Sequence, residues 1–300
     1  MGQTVTSKRL ADIIIVAFQG IPASLRKALF IGLFRLFFHL SPRQRLIAAY
    51  NLRRAFPEKS TEEILRIARG VYRNLGIVAA EFFDIPHLTP SNIGKFIDAE
   101  GLENCRQALS KGRGVLLFGA HFGNWELEAV TIPLLLEHHA VVIYRPLDSS
   151  LLDHLIFRVR SVTGNTPIPK DRAMRPMLRS LQRNEILGIL IDQNVACHEG
   201  VFVDYFGHPA CTTDGLALLA LHTEAPVLPA YMARLPDGRY RLVIGPEVEI
   251  IRTGDREADV FTNTQRFTKI VEETVRQYPD QWLWVHQRWK TQRCQARKKE

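Results

Sequence analysis

The sequence contains little cysteine and none of the spacings that organise zinc sites or disulfide frameworks. Its 300 residues include four cysteines with no Cys-x-x-Cys pair: Cys105, Cys197, Cys211 and Cys294. His198 and His208 lie near the middle two cysteines, but this spacing matches no zinc pattern. We therefore expect reduced thiols, as in a cytoplasmic setting, and no bound metal.

The sequence also lacks an uninterrupted apolar run long enough to cross a bilayer, which needs about 20 residues. The apolar run 10–18 resembles a signal peptide, but Asp12 interrupts it, so we expect retention in the cytoplasm. The run 25–40, LRKALFIGLFRLFFHL, is rich in leucine and phenylalanine but carries several basic residues. A helix lying in the membrane interface is the preferred interpretation. An ordinary buried helix and a membrane-spanning helix are the alternatives.

Internal repeats, low-complexity linkers and a Gly-x-Ser-x-Gly motif are also missing from the sequence. Their absence argues against repeat architectures and against a serine hydrolase. Basic residues outnumber acidic ones by 39 to 31, which gives a formal net charge of +8. A positive chain suits an acidic partner, and nucleic acid, an anionic membrane surface and an acidic carrier protein all qualify.

The hydrophobic pattern predicts helices first and then alternating strands and helices. Ser60 and Glu63 form a predicted capping box ahead of a helix with apolar residues at helical spacing. From about Asp98 strands and helices alternate, which is typical of an α/β sandwich with a largely parallel central sheet flanked by helices. We predict a helical, membrane-associating segment over residues 1–40 and a single catalytic domain over residues 41–300.

The segment 114–131, GVLLFGAHFGNWELEAVT, carries the strongest chemical signal. Its apolar start reads as a buried strand, Asn124 as the N-cap of a following helix, and His121 lies on the turn between them. Glu126 would lie in the first helical turn, where it can converge with His121 into a general-base pair. The alternative for a histidine near a glutamate is ordinary polar surface.

The decapeptide GAHFGNWELE resembles the HX4E block of the bacterial lysophospholipid-acyltransferase-like superfamily, and most closely that of the lipid A late acyltransferases. The stretches 50–57 and 278–290 are also similar to segments of that family. The resemblance implies an O-acyltransferase in which His121 takes the proton of an acceptor hydroxyl and Glu126 orients His121. It implies an acyl carrier protein as donor, with acyl-CoA left open, and a lipid A precursor or related glycolipid as acceptor. No metal or nucleotide cofactor is required, and the place of action would be the cytoplasmic face of the bacterial inner membrane.

Three arginines are candidates for binding the acceptor's phosphate groups. Arg145 follows a predicted strand, Arg160 lies on the next helix, and Arg172 precedes the helix after that. Ligands bind at the carboxyl ends of parallel strands, and a guanidinium there can clamp a phosphate with two hydrogen bonds. The alternative is that these are surface arginines bonded to carbonyls at helix ends.

Further candidates lie in two later segments. Asp192 ends a predicted strand, where it contacts the site or only caps a turn. The segment 200–210, which includes Gly200 and Phe202, reads as a loop that forms an apolar wall with a mobile hinge, or else a loop packed on the core. In the C-terminal signature, Arg288 and its neighbouring tryptophans suit headgroup phosphates and the interface. Nucleic acid would use the same residue types, but the apolar N-terminus favours a membrane.

Two other functions would use the same residues. A thioester or ester hydrolase would employ His121 with water as the nucleophile. A non-catalytic membrane-binding protein would explain the charge and the aromatic residues but not the histidine turn.

Overall fold

The computed structural model describes residues 2–171 and 173–292, and Arg172 therefore lies outside the described residues. Four helices come first, followed by a mixed region of strands and helices, as predicted. In chain order the helices are α1 (Gly2–Gln19), α2 (Ala23–Leu40), α3 (Pro42–Ala55), α4 (Thr61–Glu81), α5 (Leu102–Leu109), α6 (Trp125–Leu136), α7 (Ser150–Ser161), α8 (Met174–Gln182), α9 (Gly215–Thr223) and α10 (Arg256–Gln277). The strands are β1 (Ile97–Glu100), β2 (Val115–Gly119), β3 (Ala140–Tyr144), β4 (Thr166–Pro169), β5 (Ile186–Leu190), β6 (Gly200–Tyr205), β7 (His208–Thr213), β8 (Val227–Arg234) and β9 (Tyr240–Ile244).

The central sheet of the described residues has seven strands in the order β1-β9-β8-β2-β5-β3-β4. Every neighbouring pair is parallel except β8 and β9. Strand β2 lies in the middle and is hydrogen-bonded to β5 on one side and β8 on the other. This arrangement confirms the predicted mixed α/β architecture with a largely parallel sheet.

The sheet is buried on both faces, which explains why its central strands are continuously apolar. Alternate residues of β2 belong to two separate core clusters, because successive side chains of a strand point to opposite faces. Leu116 and Phe118 pack with residues of α8, α9 and α10. Val115 and Leu117 pack with residues of α5, α6 and α7. The carboxyl ends of β2, β5 and β3 therefore open at one edge between two helical layers.

The N-terminal helices pack on this core along their inner faces. Helix α4 begins with the predicted capping box, in which Glu63 N–H donates to Ser60 Oγ over 3.2 Å and Ser60 N–H donates to Glu63 Oε2 over 2.8 Å. Arg26 is 2% exposed and donates to the carbonyls of Phe18 (2.8 Å) and Ala80 (3.0 Å), which ties α1, α2 and α4 together. The segment 1–40 is thus attached to the core, and a domain boundary at residue 40 stays a prediction.

The outer face of α2 is apolar. Five leucines, each more than half exposed, follow it at helical spacing: Leu25, Leu29, Leu33, Leu36 and Leu40. Within the described part of the chain, no single helix has the length and hydropathy of a membrane span. Residues 7–19 and α2 reach the length and hydropathy of a span only when the two helices are taken together, and these helices meet at a bend of 112°.

Two expectations about local structure are wrong. Residues 200–213 are a β-hairpin of β6 and β7 rather than a loop, because the two halves pair antiparallel from Gly200–Thr213 to Tyr205–His208. Cys197 is disulfide-bonded, so reduced thiols are the wrong interpretation for that residue. Cys105 and Cys211 are free and buried.

Candidate active site

The turn between β2 and α6 places His121 at the carboxyl edge of the sheet. Gly123 has φ +57° and passes so close to β8 that a Cβ atom would lie 1.6 Å from the carbonyl oxygen of Met232, so only glycine fits. Asn124 then caps α6, as predicted, by accepting a hydrogen bond from Leu127 N–H over 3.1 Å. The turn is therefore tightly constrained, and it holds His121 with 22% of its side chain exposed.

The carboxylate that contacts His121 is Asp192. His121 Nδ1 lies 2.8 Å from Asp192 Oδ1, and the backbone N–H of His121 donates to Asp192 Oδ2 over 2.9 Å. The two residues meet because β2 and β5 are parallel neighbours with Gly119 opposite Leu190, and each residue follows its strand by two positions. Trp282, which is 1% exposed, donates its indole N–H to Asp192 Oδ2 over 2.7 Å and completes the site.

Glu126 does not orient His121, contrary to the sequence-based expectation. Its carboxylate accepts two hydrogen bonds from the Arg160 guanidinium, over 2.8 Å to Oε2 and 2.6 Å to Oε1. The indole N–H of Trp125 donates to Oε1 over 2.9 Å. Glu126 lies on the first turn of α6, and both of its carboxylate oxygens accept from Arg160 of α7. The assignment of Glu126 as a catalytic residue stays a prediction.

The second ring nitrogen of His121 faces the open side of the site. Its Nε2 lies 3.3 Å from the amide nitrogen of Gln193, which can only donate a hydrogen bond. A donor at Nε2 and a carboxylate at Nδ1 together select the tautomer that carries its proton on Nδ1. Nε2 then carries no proton and acts as an acceptor, as a general base requires.

The three buried carboxyl groups of this region differ in charge. Burial alone would raise the pKa of Asp192, but His121 and the hydrogen bonds to it and Trp282 lower that pKa below its ordinary value. Burial likewise opposes the ionisation of Glu126, but Arg160 holds its pKa below the ordinary value, and His121 contributes in the same direction. At Glu128 burial dominates a hydrogen bond from Met232 and raises the pKa to about 8. The site therefore holds two ionised carboxylates and one protonated carboxyl at neutral pH.

A cavity of about 80 Å³ lies beneath α6, on the side of β2 that faces β5 and β3. Its walls are mostly apolar and include Ile132, Ile143 and Ile189, while Trp125, Glu128 and Arg160 add polar groups to the lining. Trp125 also packs edge-on against the His121 ring, with 5.5 Å between the ring centroids. The cavity therefore adjoins the turn between β2 and α6 and has a lining suited to an alkyl chain.

Two predicted phosphate-binding arginines can be located. Arg145 follows β3 directly, is exposed, and forms no ion pair with any described residue. Lys170 is also exposed. It lies beside Arg145 because its backbone N–H donates to the carbonyl of Tyr144 over 2.8 Å. Arg160 lies on α7 but its guanidinium is committed to Glu126. Among the described residues, Arg145 and Lys170 are thus exposed cations at this edge.

The remaining predicted residues lie on the β6–β7 hairpin or hydrogen-bond to it. Gly200 starts β6, where a Cβ atom would lie 2.2 Å from the carbonyl oxygen of Thr212. The absence of a side chain therefore allows β6 and β7 to lie close together at this point. Phe202 lies on β6 opposite Cys211. Arg288 is fully buried, donates to the Cys211 carbonyl over 2.8 Å and hydrogen-bonds Thr212 Oγ1. This position contradicts direct headgroup binding by Arg288, because its guanidinium is enclosed by the hairpin.

Comparisons with known proteins identify the family of this chain. A family model described as bacterial lipid A biosynthesis acyltransferase matches residues 6–291. The lipid A biosynthesis palmitoleoyltransferase of Escherichia coli (strain K12) is 30% identical over 251 residues, which cover 83% of this chain and 79% of the relative. The lipid A biosynthesis lauroyltransferase of the same strain is 28% identical over 264 residues, covering 87% and 83%. A phosphatidylinositol mannoside acyltransferase of Mycolicibacterium smegmatis is 24% identical over 213 residues, covering 70% and 67%. The chain belongs to the bacterial lipid A biosynthesis acyltransferase family, and it is an acyltransferase.

Proposed function

We propose that the protein transfers a fatty acyl group from a carrier thioester to a hydroxyl of a lipid A precursor, with His121 as the general base. The observation that carries this proposal is the Asp192–His121 pair, which holds the partly exposed ring with an unprotonated Nε2 at the carboxyl edge of the sheet. Acyl carrier protein is the proposed donor, since it is acidic and the chain has a net charge of +8.

In the proposed reaction the acceptor hydroxyl binds at His121 Nε2 in the position that Gln193 flanks. As the hydroxyl oxygen attacks the thioester carbon, its proton moves to Nε2. When the tetrahedral intermediate collapses, the C–S bond breaks and the imidazolium returns the proton to the leaving sulfur, so that the carrier leaves as a thiol. Asp192 holds the ring and stabilises the imidazolium that forms, which is the role of a carboxylate behind a catalytic histidine. Glu126 adds a second ionised carboxylate whose charge interacts with that of His121.

The acceptor's phosphate is assigned to Arg145 and Lys170, the exposed cations beside the site. The acyl chain is assigned to the apolar cavity beneath α6, where part of it lies alongside Ile143 and Ile189. The thioester carbon would then lie near His121, whose ring Trp125 contacts edge-on.

A transfer assay tests the proposal against hydrolysis. Purified protein is incubated with radiolabelled acyl carrier thioester, with and without lipid A precursor, and the products are separated by thin-layer chromatography. We expect label on the glycolipid only when the acceptor is present. Release of free fatty acid at the same rate with and without the acceptor would instead show a hydrolase. Acyl-CoA in a parallel reaction identifies the preferred donor.

We also propose that the exposed leucines of α2 lie in the cytoplasmic face of the inner membrane. The apolar face would be buried among the acyl chains while nearby basic residues contact anionic headgroups. Replacing Leu29, Leu33 and Leu36 by serine should release the protein from anionic vesicles in co-sedimentation. Phe261→Ser, an exposed aromatic residue on α10, is the matched control that should still sediment. Full sedimentation of the triple variant would place the membrane contact elsewhere.

A further inference from the structure

Glu81, the last residue of α4, has a carboxylate that is surrounded by donors. Lys27 lies 2.8 Å from Oε1, and Arg234 donates to both oxygens over 3.2 Å. Asn124 donates its amide to Oε2 over 2.8 Å, and the hydroxyl of Tyr240 donates to the same oxygen. Glu81 is 11% exposed in its side chain, so these partners replace water almost completely. Burial would raise its pKa, but Arg234 and Lys27 lower it below the ordinary value.

Asn124 uses its two amide atoms for different purposes. The oxygen caps α6 by accepting from Leu127 N–H, and the nitrogen donates to Glu81. The carboxylate therefore fixes the rotation of the side chain that starts α6. His121 lies three residues before Asn124 and Glu126 two residues after it, so the orientation of Asn124 affects both.

A second connection runs from Glu81 to the same turn. Arg234, held by Glu81, contacts Asn74 Oδ1 over 3.4 Å, and Asn74 donates its amide to the Gly123 carbonyl over 2.9 Å. Asn74 is 6% exposed, so this contact is also shielded from water. Two neighbouring residues of the catalytic turn, Gly123 and Asn124, are thus fixed from α4 through one carboxylate.

The same carboxylate connects the turn to α2. Lys27 lies on α2, which carries the exposed leucines, and its ammonium is the partner of Glu81 from that helix. We propose that Glu81 is a positioning residue that ties the catalytic turn 121–126 to α4 and to the proposed membrane helix α2. The proposal rests on the proposed function for its kinetic consequence but not for its structural one.

Replacement by glutamine isolates the charge because the side chain keeps its size. A glutamine has one acceptor oxygen and one donor NH₂ group. If the NH₂ group takes the place of Oε2, it faces the Asn124 amide, and Asn124 keeps only the Tyr240 hydroxyl, 3.2 Å away, as an acceptor. If it takes the place of Oε1, it faces Lys27 and Arg234. Either way the network loses a partner, and leaving buried donors unpaired is unfavourable.

The test compares Glu81→Gln with Glu63→Gln, a matched control on the same helix. Glutamine serves in a capping box as well as glutamate does, so the control should behave as the unmodified protein. We expect Glu81→Gln to lower kcat by about tenfold to 100-fold, since a small misplacement of catalytic groups has effects of that size. KM for donor and acceptor should stay within about threefold. A kcat equal to that of the control overturns the proposal.

Hydrogen exchange followed by mass spectrometry gives a readout that needs no activity. Glu81→Gln should speed exchange in peptides covering residues 121–128 while the sheet strands keep their protection. Unchanged exchange at the turn, or faster exchange spread evenly over the whole protein, overturns the positioning role. If the unmodified protein transfers no acyl group, the proposed function fails, whereas the exchange result still decides this proposal.

A double variant tests whether Glu81 acts through the turn. Asn124→Ser keeps an oxygen that caps α6 but removes the amide that reaches Glu81. The single change should lower kcat in the same direction as Glu81→Gln. Because the two residues share one interaction, the loss in the double variant should be smaller than the product of the two single losses. Fully multiplicative losses overturn the shared mechanism.

Discussion

Replacing Asp192 by asparagine should reverse the proton arrangement of His121. Asp192 Oδ2 accepts two hydrogen bonds, from the His121 backbone N–H and from the Trp282 indole N–H. An asparagine will keep its carbonyl oxygen at that position, since an NH₂ group there would face two donors. Its NH₂ group must then donate to His121 Nδ1, which moves the ring proton to Nε2. The imidazole would keep its place but could no longer accept the proton of the acceptor hydroxyl.

The expected loss follows from this change of tautomer. When a catalytic histidine is held in the wrong tautomer by an aspartate-to-asparagine change, turnover falls by about 10⁴-fold. Asp192 makes the same contact with Nδ1 over 2.8 Å, so we expect kcat to fall by about 10³- to 10⁴-fold. This corresponds to a barrier higher by roughly 4–5.5 kcal/mol. KM should change little, because Asp192 is buried beneath the ring rather than exposed to substrate.

The assay is steady-state transfer from acyl carrier thioester to lipid A precursor, with a thermal melt on each protein. Asp237→Asn is the matched control, because Asp237 lies in an exposed turn where it accepts from Arg239 N–H and asparagine is equally suited. A folded Asp192→Asn protein with kcat within about threefold of the control would refute the tautomer argument.

Two further predictions concern other groups of the site. Arg145→Lys should raise the KM of the glycolipid about tenfold with little change in kcat, because a point charge replaces a planar two-pronged donor; an unchanged KM would place the phosphate elsewhere. Glu128→Gln should remove a pH dependence of stability. Since the pKa of Glu128 rises from 4.5 to about 8 on folding, the folded protein holds the proton more tightly, and stability is lost as pH rises through that window. Urea unfolding should show the variant gaining roughly 3 kcal/mol relative to the unmodified protein between pH 6 and pH 9; parallel pH profiles would contradict this.

The position of His121 could be predicted because the signals around it are local. The apolar strand, the glycine and the capping asparagine are all within a few residues, and each has a direct structural consequence in β2, the turn or α6. The partner of His121 could not be identified in the same way. Glu126 is near in sequence, whereas Asp192 becomes near only because β5 pairs with β2 in the sheet. Sequence spacing alone does not give the order of parallel strands.

A usable signal for Asp192 was nevertheless present. His121 and Asp192 each follow an apolar strand by two residues, and such positions meet when the strands are neighbours. The misplaced arginines have a different cause. An arginine can bind a phosphate, form an ion pair or donate to buried carbonyls. Only the packing shows that Arg160 is bonded to Glu126 and Arg288 to the Cys211 carbonyl. The β6–β7 hairpin was missed because its glycines and aromatic residues are as common in loops as in tightly paired strands.

The central claim, that His121 is the base for acyl transfer, is tested most directly by the activity of His121→Ala. The matched control is His198→Ala, an exposed histidine outside the site. Mass spectrometry of the lipid product, with saturating acyl carrier thioester and lipid A precursor, should show transfer reduced by about 10²-fold or more for His121→Ala, with a normal melt and an unaffected control. A folded His121→Ala protein that acylates the precursor at a near-normal rate would contradict the account.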